Sequence, residues 1–217
     1  MDCAKEELCV NPLIERESTV IFDIGNVLMR FTWKEYVDRL FGEETAAVVT
    51  WAIWRRHWWN ELDREVLTPE EVIAGAQSEA PHLAAQIREA VERSGEACYR
   101  HDYAIPWIES FKARGYRTLF LSNYSQYLIN KRPDVLDFLP HLEGGVFSYQ
   151  VRMCKPEPAI YARICADYGL DPGECLFMDD SRVNVVMARK CGLNAIHFAG
   201  YETTAPEIEA CLAERAL

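Results

Sequence analysis

Short apolar runs that end abruptly in polar residues alternate with helical patterns over most of the chain. Thr19-Val20-Ile21-Phe22 is an uninterrupted run of β-formers that stops at Asp23. A run apolar on both faces predicts a central strand of a parallel sheet. The same pattern returns in Tyr116–Leu121 before Ser122-Asn123, in Gly145–Ser148, in Cys175–Met178 before Asp179-Asp180, and in Asn194–Phe198. Helices are expected between these strands over Pro106–Arg114, Ser125–Asn130, Pro133–Leu139, Pro158–Tyr168 and Val183–Lys190. A last one is expected over Pro206–Arg215. Gly115, Gly169 and Gly192 follow three of these helices, as helix stops do.

From Trp33 to about Arg100 the strand signal disappears. Aromatic and charged residues at helical spacing predict helices over Trp33–Leu40, Glu43–Asn60, Pro69–Ala76 and His82–Ser94. Thr68-Pro69 with Glu71 forms a capping-box signature at the start of the third. The fold class expected is α/β: an open parallel sheet flanked by helices, Rossmann-like, with an all-helical cap inserted after the first strand. The divisions are an N-terminal tail at 1–17, a core at 18–30 and 101–217, and a cap at 31–100. Cap hinges are expected near Arg30-Phe31 and His101-Asp102.

The 217 residues carry 23 Lys and Arg against 34 Asp and Glu, a net charge of −11. That balance disfavours nucleic acid as the main partner, because a phosphate backbone is gripped by cations. It leaves room for a small phosphorylated metabolite, which needs only local positive charge and a metal. Eight cysteines are scattered without a CxxC pair, and no signal-like or membrane-length apolar window occurs. Cys165, Cys175 and Cys191 fall inside apolar patterns, so a reduced, cytoplasmic protein with no membrane partner is the expectation.

Sites in open parallel sheets lie beyond the carboxyl ends of the strands. Three such ends are polar here: Asp23, Ser122-Asn123 and Asp179-Asp180, with Lys155 in a turn between elements. Asp23 and Asp180 could share a hard divalent cation, since adjacent carboxylates otherwise repel. Ser122 and the backbone N–H groups of the turn at Asn123 could hold phosphoryl oxygens. Lys155 could neutralise charge while Asp23 attacks phosphorus.

These residues resemble the haloacid dehalogenase-like hydrolase superfamily, and within it subgroup IA, variant 3. Phe22–Leu28, Leu121–Asn123, Lys155–Pro158 and Phe177–Val185 are similar to its four motifs, in order. The resemblance implies a Mg²⁺-dependent phosphatase working through an aspartyl-phosphate. Asp23 would be nucleophile and metal ligand, Ser122 and Asn123 phosphate-binding, and Lys155 both catalytic and phosphate-binding. Asp180 and the Gly25 carbonyl would be metal ligands, with Asp179 and Asn184 behind them. Most phosphatases of the superfamily carry an acid/base Asp where this chain has Gly25. Bacterial sugar-phosphate phosphatases acting on glucose 1-phosphate resemble the Asp-x-Gly-Asn-Val run, which keeps a phosphatase reading ahead and puts a sugar phosphate, or an acyl phosphate, among the expected substrates. A catalytically weak or inactive relative that binds a phosphoryl ligand or a protein is the first alternative. A metal-free 2-haloacid dehalogenase is the second. In the cap, Trp51, Trp54 and Trp58 are expected to be buried along one stripe, whereas His57 and Trp59 fall off it and could face the cleft. Arg64, in the turn Asp63-Arg64-Glu65, and Tyr124 complete the expected substrate pocket.

Overall fold

The computed structural model describes residues 18–54 and 56–213, with side chains to residue 209. The expected tail therefore lies outside the described residues, as does the end of the last helix. Five parallel strands form the central sheet: β1 (Thr19–Phe22), β4 (Arg117–Ser122), β5 (Gly145–Phe147), β6 (Cys175–Asp179) and β7 (Asn194–His197). Their spatial order is β5-β4-β1-β6-β7, so β1 is central. Alternate residues of each strand enter two separate apolar clusters. Val20, Phe22, Leu176 and Met178 pack on one side, and Ile21, Leu119, Leu121 and Phe177 on the other. Burial on both faces is why these strands read as continuous apolar runs.

Register sets the site. Phe22 lies opposite both Phe120 and Met178, so the next residues, Asp23, Leu121 and Asp179, emerge at one level. The Asp23 N–H still donates to the Met178 carbonyl at 2.8 Å. Gly25 and Asn26 then turn the chain, with Asn26 in the left-handed region at φ 55°.

Two elements escaped the pattern. β2 (Met29–Phe31) and β3 (Cys98–Arg100) form an antiparallel ribbon that joins the two ends of the helical segment. Three residues per strand are too few to set up a periodicity. Between them run α1 (Trp33–Phe41), α2 (Glu43–Trp54), α3 (Trp58–Asp63), α4 (Pro69–Glu79) and α5 (Ala84–Glu92). The capping box forms as expected: Thr68 Oγ1 accepts from the Glu71 N–H at 3.3 Å, and a Glu71 carboxylate oxygen accepts from the Thr68 N–H at 2.8 Å.

The helix expected over Glu43–Asn60 is instead two. His57 adopts a left-handed conformation at φ 59° and α3 starts afresh. The break redistributes the tryptophans. Residues five apart on a continuous helix occupy different faces, yet Trp54 and Trp59 stack with ring centroids 5.1 Å apart and planes 12° apart. Trp33 and Phe31 close the cluster around Trp59. Trp51, expected inside, is 44% exposed.

The remaining helices are α6 (Ala104–Lys112), α7 (Gln126–Lys131), α8 (Ser148–Val151), α9 (Pro158–Tyr168), α10 (Arg182–Lys190) and α11 (Tyr201–Ala213). The segment expected as a helix over Pro133–Leu139 forms one 3₁₀ turn at Pro133–Leu136, and a second begins at its end, Leu139–His141. The last helix begins five residues before Pro206, which sits inside it rather than at its start. The Thr204 N–H already donates to the Gly200 carbonyl at 2.9 Å, so the first turn is in place before the proline. Among the described residues, Cys98, Cys154, Cys165, Cys175 and Cys191 are free thiols. Burial pushes Cys98 up to about 11 and Cys175 up to about 12, which keeps both protonated and unreactive. No helix among the described residues is long and apolar enough to cross a membrane.

Candidate active site

Lys155 organises the carboxyl edge of the sheet. Its ammonium lies 2.8 Å from Asp23 Oδ1 and 2.7 Å from Asp179 Oδ2, and donates to the Leu121 carbonyl at 2.8 Å. Asn123 fixes the loop that delivers it: the Asn123 amide donates to the Lys155 carbonyl at 2.9 Å and accepts from the Lys155 N–H at 2.8 Å. The Asn123 side chain therefore positions Lys155. Ser122 is buried one residue earlier, at the end of β4.

The two adjacent acids have different environments. Asp179 is wholly buried and accepts from Lys155, from the Ser181 N–H at 2.8 Å, and from Asn184 Nδ2 at 3.0 and 3.1 Å. Asp180 is half-buried. Its Oδ2 accepts from Asn26 Nδ2 at 2.9 Å, and its carbonyl lies 3.0 Å from His197 Nε2. The ring of His197 thus props the loop that carries Asp180.

One carboxylate oxygen from each of Asp23, Asp179 and Asp180 lies within 4.8 Å of the other two. Burial pushes Asp23 up to about 7. Lys155 opposes that shift, and the charges on Asp179 and Asp180 reinforce it. Asp180 is also raised, first by burial, with the Asn26 hydrogen bond opposing. For Lys155, burial disfavours the charge, but Asp179 and Asp23 outweigh it and hold the ammonium above its ordinary value. One ammonium facing three acids is an electrostatic deficit. The all-oxygen donor set is the kind that suits a hard divalent cation such as Mg²⁺, and a cation there would relieve the repulsion.

A cavity of about 230 Å³ opens above these groups. Asp23, Gly25, Ser122, Asn123, Lys155 and Asp180 line its floor, with Asn184 beside them. Asp179 does not line the cavity. From the insert and its ribbon come Met29, Phe31, Trp54, Trp59, Asn60 and Asp63. Tyr124 lines the wall as expected, with its hydroxyl 3.6 Å from Met29 Sδ. Of the other expected pocket residues, Trp59 lines the cavity and two do not. His57 is exposed at the break between α2 and α3. Arg64 turns away to pair with Glu157 and, at 3.7 Å, with Glu61. Its neighbour Asp63 takes the place inside. The turn Asp63-Arg64-Glu65 was expected near the pocket through Arg64 and not Asp63, and nothing in the residue pattern marks Asn60 or Phe31, because which way α3 faces is set by the break at His57.

The fold and this cluster of acids around a lysine agree with a family model for haloacid dehalogenase-like hydrolases, which matches residues 17–192. The chain belongs to that family and is a hydrolase by membership. It is 23% identical over 190 residues to the sesquiterpene phosphatase astK of Aspergillus oryzae, covering 87% of this chain and 93% of that protein. A HAD family enzyme from Bacteroides thetaiotaomicron, solved with magnesium and inorganic phosphate, superposes with a TM-score of 0.65 at 20% identity. That match covers 83% of this chain and 93% of the other. The L-2-haloacid dehalogenase of Xanthobacter autotrophicus superposes with a TM-score of 0.63 at 15% identity, covering 89% and 83%. At such identities the two structures share the fold alone.

Proposed function

We propose that the protein is a Mg²⁺-dependent phosphomonoester hydrolase for a small phosphorylated metabolite, working through phosphoryl transfer to Asp23. The carrying observation is the cluster of Asp23, Asp179 and Asp180, with one carboxylate oxygen of each within 4.8 Å of the others, around the buried Lys155 at the floor of a cavity. The similarity to a fungal phosphatase along most of both chains supports it. Asp23, Asp180 and the Gly25 carbonyl would hold the cation, which when bound draws phosphoryl oxygens into place and offsets their charge. Asp179 holds Lys155 and is itself held by Asn184. Ser122 and the Asn123 backbone bind phosphoryl oxygens, and Lys155 stabilises charge between phosphate and nucleophile. Asp23 attacks phosphorus, the ester P–O bond breaks, and water later releases phosphate.

The outer walls favour a leaving group with an apolar face. Met29, Phe31, Trp54, Trp59 and Leu128 line them, against few polar groups from the insert. An apolar alcohol suits these walls, and a sugar suits them where one ring face lies against an indole. The metal-free dehalogenase reading gains nothing from three clustered acids. The test is phosphate release from a metabolite panel holding sugar phosphates and apolar alkyl phosphates, with Mg²⁺ and with chelator. Release that needs Mg²⁺ and is lost in Asp23→Asn is expected. Tight binding of phosphate esters without any release would favour the inactive-relative reading instead.

A further inference from the structure

The leaving oxygen of a phosphate ester needs a proton, and Gly25 has none to give. Resting on the phosphatase reading, we infer that Asp63, at the end of α3, is the general acid and base of the reaction. It is 8% exposed and lines the same cavity as Asp23, Ser122, Lys155 and Asp180. Its backbone is anchored to the phosphate-binding side: the Asp63 carbonyl accepts from the Ser148 hydroxyl at 2.6 Å, and that hydroxyl accepts from the Tyr124 N–H at 2.9 Å. Glu61 and Arg64 nearby form ion pairs. No ion pair of Asp63 is formed among the described residues.

The other titratable groups of the cavity have other tasks. Asp23, Asp180 and Lys155 form the phosphoryl end. The Tyr124 phenol is held protonated by burial and sits against Met29. The groups facing Asp63 are uncharged: Tyr124 from the loop after β4, and Cys154 from the loop after α8, whose thiol burial pushes up to about 12. Burial, opposed by the Ser125 N–H, pushes Asp63 up to about 8. It is therefore mostly protonated at neutral pH, the form a general acid needs.

In the first step an Asp23 oxygen bonds to phosphorus as the ester P–O bond breaks. The departing oxygen takes the Asp63 proton and leaves as the alcohol. In the second step water attacks phosphorus, its proton goes to the Asp63 carboxylate, and the Asp23–phosphorus bond breaks. Phosphate departs, and Asp63 is again protonated.

Two esters test this on the full chain with Mg²⁺. Hexyl phosphate has a leaving group that needs a proton, and p-nitrophenyl phosphate has one that does not. Asp63→Asn should lower kcat/KM for hexyl phosphate by about 10²–10⁴-fold and change that for the nitrophenyl ester little. A nitrophenolate burst should appear as the phosphoryl-enzyme accumulates. A Cβ placed on Gly25 meets nothing within 4 Å, so Gly25→Asp in the Asp63→Asn background should recover hexyl phosphate turnover. Wild type alone provides a second measurement, should the variant not fold: kcat/KM should fall above about pH 8 for hexyl phosphate and not for the nitrophenyl ester. Equal losses on both esters, no loss on either, or the same basic limb for both would overturn the role of Asp63 alone. A wild-type protein inert toward both esters and toward the whole metabolite panel would overturn the phosphatase reading and this role with it.

Discussion

The ammonium of Lys155 lies 2.8 Å from Asp23, and both side chains are shielded from water, 1% and 9% exposed. Removing one member of such a pair leaves the other buried and uncompensated, at a cost of about 3–5 kcal/mol. Here Asp179 and Asp180 aggravate the loss, since they face the same ammonium. Lys155→Met should therefore lower the melting temperature sharply in chelator. Mg²⁺ should restore more stability to the variant than to the wild type. A variant melting with the wild type would show that the acids are not held by Lys155.

Stability of the metal-free protein should fall as pH rises. The folded-state value of Asp63 is about 8 against an ordinary 3.8. Between those values the folded chain holds a proton that the unfolded chain has released. Stability is then fully present below about pH 4 and is lost as pH climbs through 8. Asp23, at about 7, adds to the same trend. Asp63→Asn removes its share, so its loss of stability between pH 5 and 8.5 should be smaller than that of wild type by about 2 kcal/mol or more. Thermal melts in chelator across that range measure the difference, and parallel curves would refute it.

Trp54 is half-buried, lines the cavity and stacks on Trp59. Trp54→Leu should raise KM for an apolar alkyl phosphate by about 2- to 10-fold, the scale of one lost aromatic contact of about 0.5–1.5 kcal/mol. Inhibition by inorganic phosphate should be unchanged, because phosphate contacts the floor and not this wall. Equal weakening of both ligands would place Trp54 in support of the whole site.

Arg64 joins the insert to the Glu157 loop across a partly exposed ion pair. Exposed pairs contribute about 0–1 kcal/mol. Arg64→Ala should shift stability by no more than that and leave KM for every ester where it was. A large rise in KM would mean that Arg64 swings into the cavity when substrate binds.

Composition and patterning made the core legible. Apolar runs ending at Asp23, Ser122 and Asp179 required strands buried on both faces, and parallel register alone then brings Asp23 level with Leu121 and Asp179. Lys155 and Asn184 were readable as site residues because the four motifs resemble a family, whereas their meeting on Asp179 came from the structure. The insert was readable only as helical. Its ribbon is too short for a pattern, and the left-handed His57 turns one expected helix into two. That single backbone reversal sends Trp59 and Asp63 inward and leaves His57 outside and Arg64 paired with Glu157.

The strands themselves, their succession along the chain, their polar carboxyl ends and the family they resemble were thus determined by the chain's local pattern, since burial of a parallel strand is written in consecutive residues; their spatial order in the sheet was not. Which insert side chains meet the cavity was decided by tertiary structure. A helix's facing depends on how it breaks and packs against distant partners, and Asp63 acquires its raised proton affinity only from the burial that packing creates.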